Sequence, residues 1–271
     1  MTATANALPP PPAIEVVGAR KAYRGGHAAL APVGLRVESG EFVTLLGPSG
    51  CGKTTLLNLM AGLVAPSAGA LRWWGGPLND TGIKGRKLAM VFQSATLMPW
   101  SRIDTNVRLP LDLAHVPRER ADRDVVDALA LVGLSDAGAL LPRELSGGMQ
   151  MRASIARALV TSPDLLLMDE PFAALDEFTR QRLDAELSSM WAARRLTVVF
   201  VTHSIVEAVF LSTRVVVMAA RPGRIVAEVG IDAPFPRNDA TRLTPSFAAR
   251  CQRLSQLVAG AASSVGAESP T

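Results

Sequence analysis

Four short runs along the chain are apolar almost without interruption: 42–46, 165–168, 197–201 and 215–218. Polar residues do not alternate with the apolar ones, so both faces of such a strand need cover. Strands of that kind belong to a parallel α/β sheet. Between them the period changes. Apolar residues recur at helical spacing over 53–61, 147–160, 179–193 and 204–211. A fifth apolar strand, 88–92, leads into Gln93. Strand and helix in turn make a βαβ protein.

The stretch from about 95 to 145 breaks this order. It has helical spacing over 122–132, several prolines and no convincing strand. Together with the helix that follows, it reads as a helical lobe of about 95–160 inserted into a sheet domain of 13–231. Beyond 231 the sheet pattern stops. Ala233-Pro234-Phe235-Pro236-Arg237 reads as a linker, and 245–259 as one short amphipathic helix in a tail of 232–271 whose last dozen residues read as disordered. Residues 1–12 lack a basic region and end in four prolines, which predicts a floppy leader rather than a signal peptide.

Composition narrows the class. Hydrophobic residues make up 48% and charged residues 19% of 271, a globular balance. The net charge of +4 comes from scattered Lys and Arg, which predicts a solvated surface and no nucleic-acid partner. Two cysteines, Cys51 and Cys251, form neither a metal spacing nor a disulfide framework, and fit a reducing cytoplasm. Mean hydropathy is +0.23, so a membrane span must be tested. The uncharged stretch 54–71 contains Asn58, Pro66, Ser67 and Gly69, and reads as a buried helix and a turn.

The chemistry begins with Gly47-Pro48-Ser49-Gly50-Cys51-Gly52-Lys53-Thr54, between an apolar strand and a helix. The glycines let backbone N–H groups close around phosphate oxygens, and the helix N-terminus adds favourable potential. Lys53 can bridge β- and γ-phosphates, and Thr54 can ligate Mg²⁺. Asp169 and Glu170 end a buried strand. A carboxylate there can hold Mg²⁺ and its neighbour can act as general base, or the pair simply caps the turn before Pro171. A second nest, Ser146-Gly147-Gly148, opens a helical pattern. His203 follows a strand and can reach a γ-phosphate and orient Glu170, or be structural. Gln93 can reach Mg²⁺ or water. Tyr23, the only tyrosine, can stack on adenine or pack ordinarily.

With these residues placed, the chain resembles the ATP-binding subunit of ABC transporters from Tyr23 to about Gly223. The order of elements matches: an adenine-stacking aromatic (Tyr23), Walker A (47–54, with Thr55 next), the Q-loop (Gln93) and the signature (145–150). Walker B (165–169) follows with its catalytic Glu170, then the D-loop Ala174-Leu175-Asp176 and the switch residue His203. The resemblance implies a P-loop NTPase fold with a mainly parallel sheet core, an antiparallel β subdomain and an inserted α-helical lobe. It implies ATP and Mg²⁺, the metal held by Thr54, Gln93 and Asp169. It also implies a homodimer paired head to tail. Each ATP then lies between Walker A of one subunit and Ser146, Gly147, Gly148 and Gln150 of the other. Closure on ATP drives the membrane subunits, and hydrolysis resets them.

A finer likeness is to importers of nitrate, sulfonate and taurine. It rests on Val91-Phe92-Gln93 with Leu97-Met98-Pro99-Trp100, on the passage from Asp169 to Arg180, and on Val201-Thr202-His203-Ser204 through Arg221-Pro222-Gly223. It implies a permease docked through Leu97, Met98, Pro99 and Trp100, an extracytoplasmic binding protein delivering solute, and a peripheral place on the cytoplasmic face of the membrane. Met149 and Met151 stand where glutamine is usual, and Ala173 where many relatives have serine or glycine; none removes a phosphate-facing group. The alternative is a soluble ABC ATPase acting on nucleic acid or ribosomes. Such relatives usually carry two ATPase domains or a long coiled coil, and neither is present.

Overall fold

The computed structural model describes residues 10–263 apart from 24, 27, 78–84 and 174. Most of the leader, His27, Ala174 and the last eight residues therefore lie outside the described residues. The chain runs β1 (Ile14–Ala22), β2 (Ala28–Val37), β3 (Phe42–Leu46), α1 (Lys53–Met60), β4 (Ala68–Trp73), β5 (Gly76–Pro77) and β6 (Leu88–Val91). It continues with α2 (Ile103–Leu113), α3 (Arg118–Leu131), α4 (Gly147–Leu159), β7 (Leu165–Asp169), α5 (Glu177–Arg194), β8 (Thr197–Thr202) and α6 (Ile205–Leu211). It ends with β9 (Arg214–Ala219), β10 (Arg224–Gly230), α7 (Asp239–Arg242) and α8 (Pro245–Ser263).

The six-stranded sheet has the order β10-β9-β3-β8-β7-β6, and only the β10–β9 pair is antiparallel. Its four central strands, β9, β3, β8 and β7, are covered on both faces, as their unbroken apolar runs require. Leu166, Met168, Val198, Phe200, Val215 and Val217 join a cluster with buried residues of α2–α6 and α8. Leu165, Leu167, Val199, Val201, Val216 and Met218 join a second cluster with α1 and the antiparallel sheet. That second sheet has the order β2-β1-β4-β5. Its pairing of β1 with β2 shifts register three times, so no clean two-residue period marks it in the sequence.

Three further details differ from the sequence pattern. The uncharged stretch 54–71 ends in strand β4 rather than a turn, and among the described residues no helix is long and apolar enough to cross a membrane. The inserted segment contains α2 as well as α3, and Pro110 inside α2 hid it from propensity. The tail helix runs four residues further than its predicted end, with Phe247, Leu254 and Ala261 buried at seven-residue spacing.

The stretch read as a linker is pinned. Arg237, at 1% exposure, donates from Nη1 to the carbonyls of Val209, Phe210 and Ser212, and from Nη2 to those of Ile231 and Ala233. A cation on the last carbonyls of α6 is favoured by the helix dipole. Burial pulls the guanidinium down to about 10, so it remains charged at neutral pH. Five residues on, Arg242 donates to Asp184 Oδ2 of α5 at 2.6 Å and lies over the Phe210 ring. The tail is thereby clamped to α5 and α6.

Burial pushes the Asp184 carboxyl up from 3.8 to about 7, against the pull of Arg242. The folded protein therefore holds this proton more tightly than the unfolded chain does. The stability it contributes is full below about pH 4 and is lost as pH rises through about 7. Thermal melts across that range should show wild type losing stability relative to Asp184→Asn as pH rises. The scale is on the order of 1 kcal/mol per unit of pKa difference. A difference that does not change with pH would remove Asp184 as the titrating group.

Candidate functional site

The site forms where parallel strands end together. Leu46 of β3 pairs with Thr202 of β8, and Asp169 of β7 pairs with Val201. Residues just beyond these three strands, far apart in sequence, therefore emerge at one edge.

Past β3 the chain makes the glycine-rich loop. A Cβ at Gly47 would lie 2.5 Å from the Met218 carbonyl oxygen and 2.8 Å from Cys51 Sγ, so only glycine fits beside β9. Gly52 has φ +90° and sits against Ala29 and Leu30 of β2. As N-cap of α1 it supplies no side-chain cap, which leaves the first N–H groups of the helix free to meet an anion. Lys53 is buried and curls back, donating from Nζ to the carbonyls of Gly47 (2.9 Å) and Pro48 (3.1 Å). Ser49 and Thr54 are exposed, and Thr55 is half-buried. Burial pushes the Cys51 thiol up despite the Lys53 charge, so it is a packing group and not a nucleophile.

The carboxylates come from the end of β7. Asp169 Oδ1 accepts from Thr54 Oγ1 at 3.0 Å. Burial pushes its carboxyl up, and the Thr54 bond pulls the other way. Glu170 adopts φ +44°, an uncommon left-handed conformation for this residue, while its N–H donates to the Val201 carbonyl. Its side chain lies between two partners: Oε1 is 3.7 Å from Lys53 Nζ, and Oε2 accepts from His203 Nδ1 at 3.0 Å. Lys53, Thr54, Asp169, Glu170 and His203 thus form one connected group. Among the described residues, no three His, Cys, Asp or Glu side chains cluster as a metal site. Thr54 and Asp169 can hold a divalent cation only together with oxygens of a ligand.

Gln93 lies two residues past Val91, which pairs with Met168, so it stands at the same strand edge and is exposed. The backbone after it is held by residues whose part the sequence did not reveal. Arg157 of α4 donates to the carbonyls of Ala95 and Thr96. Buried Asn106 brackets the Met98 peptide, accepting from its N–H at 2.7 Å and donating to its carbonyl at 3.1 Å. The four-residue apolar segment splits: Leu97 and Met98 are half-buried, while Pro99 is exposed and Trp100 is 78% exposed. Tyr23 is half-exposed under Lys21 Nζ. The adjacent pair Ala22–Ala28 places it at the hairpin end that abuts Gly52.

The serine-glycine-glycine turn stands apart. Ser146 is the N-cap of α4, its Oγ accepting from Met149 N at 3.3 Å. Around Gly147 the space is open, and Gly148 faces only the Leu175 side chain. Gln150 donates its amide to the carbonyls of Pro142 and Leu145, so it props the preceding turn. Among the described residues no hydrogen bond or ion pair joins Ser146–Gln150 to the phosphate loop, Glu170 or His203.

Residues 30–173 match the protein family described as ABC transporter. The chain is 43% identical over 221 residues to the aliphatic sulfonates import ATP-binding protein SsuB of Bacillus licheniformis, covering 81% of this chain and 83% of that one. It is 45% identical over 204 residues to the taurine import ATP-binding protein TauB of Rhizobium johnstonii, covering 75% and 77%. Among solved structures it resembles a dimeric ATP-binding cassette in a post-hydrolysis state bound to ADP and Pi. The TM-score is 0.74 at 31% identity, over 82% of this chain and all of that one.

The crowding at Gly47 makes a direct test. Gly47→Ala should keep the fold by circular dichroism but weaken binding of a fluorescent ATP analogue at least roughly tenfold, because the added Cβ meets rigid backbone. Unchanged affinity would show that the loop does not depend on that close approach.

Proposed function

We propose import of a small sulfonate, from this premise: the chain belongs to the ABC transporter family as an ATP-binding subunit whose ATP hydrolysis is coupled to transport. The solute class is taken from the similarity to the sulfonate and taurine proteins, with nitrate as the competing solute. A binding protein outside the membrane delivers it, and this subunit sits peripherally on the cytoplasmic face of a permease.

One observation carries the mechanism: the connected group Lys53–Glu170–His203 lies at the phosphate loop, while Ser146–Gly148 shares no hydrogen bond or ion pair with it among the described residues and Gly147 faces open space. In this reading two copies pair head to tail. Backbone N–H groups of the loop from Gly47 to Thr55 wrap the phosphates, and Tyr23 packs on the adenine. Lys53 leaves its two carbonyl partners for the β- and γ-phosphate oxygens. Thr54 and Asp169, 3.0 Å apart, are hard oxygen donors that suit Mg²⁺, with Gln93 at the same edge completing the set. Held by Thr54, Asp169 and Gln93, a magnesium ion would supply positive charge to offset the charge on the phosphoryl oxygens. Glu170 takes the proton of the attacking water. His203 holds that carboxylate in place, since an ionised carboxylate only accepts and the imidazole donates through Nδ1. The partner copy supplies Ser146 and the N–H groups of Gly147 and Gly148 to the same γ-phosphate. Pro99 and Trp100 form the permease contact, since Asn106 fixes the loop that displays them.

Glu170→Gln should bind ATP yet hydrolyse it roughly a hundredfold more slowly, and accumulate as a dimer by size-exclusion chromatography. Undiminished turnover would remove Glu170 as the base. Trp100→Ala should spare nucleotide binding and weaken co-purification with the permease; intact co-purification would displace the docking surface. Vesicles carrying the whole transporter should show ATPase stimulation by binding protein loaded with taurine or an alkanesulfonate. Stimulation by nitrate alone would overturn the sulfonate assignment.

A further inference from the structure

Glu207 of α6 is a carboxylate that the mechanism above leaves unused. It is 5% exposed, and a buried carboxylate is costly unless its oxygens are engaged. Oε2 accepts from Thr202 Oγ1 at 2.5 Å, and Oε1 is ion-paired with Arg180 Nε of α5 at 3.5 Å, a charge contact without a hydrogen bond. Thr202 and Ser204 flank His203, and both are tied to Glu207, Thr202 to its carboxylate and Ser204 to its main-chain N–H. Thr202 Oγ1 also accepts from Ser204 N–H at 2.9 Å, and Ser204 Oγ accepts from Glu207 N–H at 3.3 Å. The loop that presents His203 to Glu170 therefore hangs on Glu207 from both sides.

Arg180 carries the connection onward. Its Nη2 donates to the Leu175 carbonyl at 2.9 Å and its Nη1 to Glu177 Oε2 at 3.2 Å. Leu175 lies in the turn that follows Glu170, and its side chain is the one that faces Gly148. A guanidinium can reach Glu207 and Leu175 at once because its donors are fixed in a planar fork; a lysine ammonium cannot.

We propose that Arg180 and Glu207 are positioning residues for hydrolysis, a cross-helix pair of a half-buried arginine and a buried carboxylate that fixes the His203 loop to the turn after Glu170. The proposal rests on the roles given to Glu170 and His203 above. The pair touches no reacting atom. It acts by holding His203 at hydrogen-bond distance from Glu170 while the Leu175 turn meets the start of α4. Without it the two loops take separate positions and Glu170 loses its orientation, although the phosphate loop is untouched.

A double-mutant cycle tests this on the full chain by single-turnover ATP hydrolysis. Glu207→Gln should lower the rate roughly tenfold, with ATP affinity and melting temperature close to wild type. His203→Ala should lower it at least as much. The double variant should be no slower than His203→Ala, because the pair works only through that histidine. Arg180→Lys should reproduce the Glu207→Gln loss, and it serves as the second arm if Glu207→Gln does not fold. A slow His203→Ala with a silent Glu207→Gln and a silent Arg180→Lys overturns the positioning role alone. So do losses that multiply in the double variant, the mark of a merely structural pair. A silent His203→Ala overturns the His203 reading itself, and the proposal with it.

Discussion

The structure depends on one constraint: the central strands are covered on both faces, so their side chains can do no chemistry along their length. Functional groups borne by this sheet can emerge only where its strands stop. The parallel register decides which stops coincide, and it aligns Leu46, Asp169 and Thr202 within one row. The glycine loop, the carboxylate pair and His203 follow these residues directly. Their convergence is thus a property of sheet register rather than of loop design. It also explains why each of these loops is short and tightly bonded to its neighbours.

The same cover sets the electrostatics. Charged groups inside this protein are held by specific partners, and each answers burial differently. Lys53 borrows two loop carbonyls that a phosphate can replace. Arg237 takes five carbonyls and, among the described residues, no carboxylate, and it clamps the end of α6. Asp184 and Glu207, on facing helices α5 and α6, each take an arginine from another element. Burial pushes both carboxyls up, so neither ion pair comes free of desolvation.

What could be read from the sequence follows from the same physics. Doubly covered strands leave unbroken apolar runs, so β3, β7, β8 and β9 were visible within a residue or so. The glycine loop announced itself because Gly47 and Gly52 have no substitute. The antiparallel sheet came only through resemblance, because bulges in β1 erase its alternation. Pro110 disguised α2. Among site residues, Lys53, Thr54, Asp169, Glu170 and His203 were legible by type and spacing, and the structure brings them together. Thr202, Arg180 and Glu207 were not. A cross-helix ion pair needs two particular residues to meet, and nothing in either local sequence signals the partner. That the linker is pinned was hidden for the same reason, since Arg237 looks like any surface arginine until its carbonyls are in view.

Arg157 has a mechanical consequence. It sits near the end of α4 and grips the backbone at Ala95 and Thr96, while Ser146 caps the other end of the same helix. Thirteen residues of helix make a rod of about 20 Å. A tilt imposed on the backbone at Ala95 and Thr96 therefore acts on one end of this rod and reaches Ser146 with the gain of a lever arm. A few degrees of rotation at one end become an ångström or more of travel at the other.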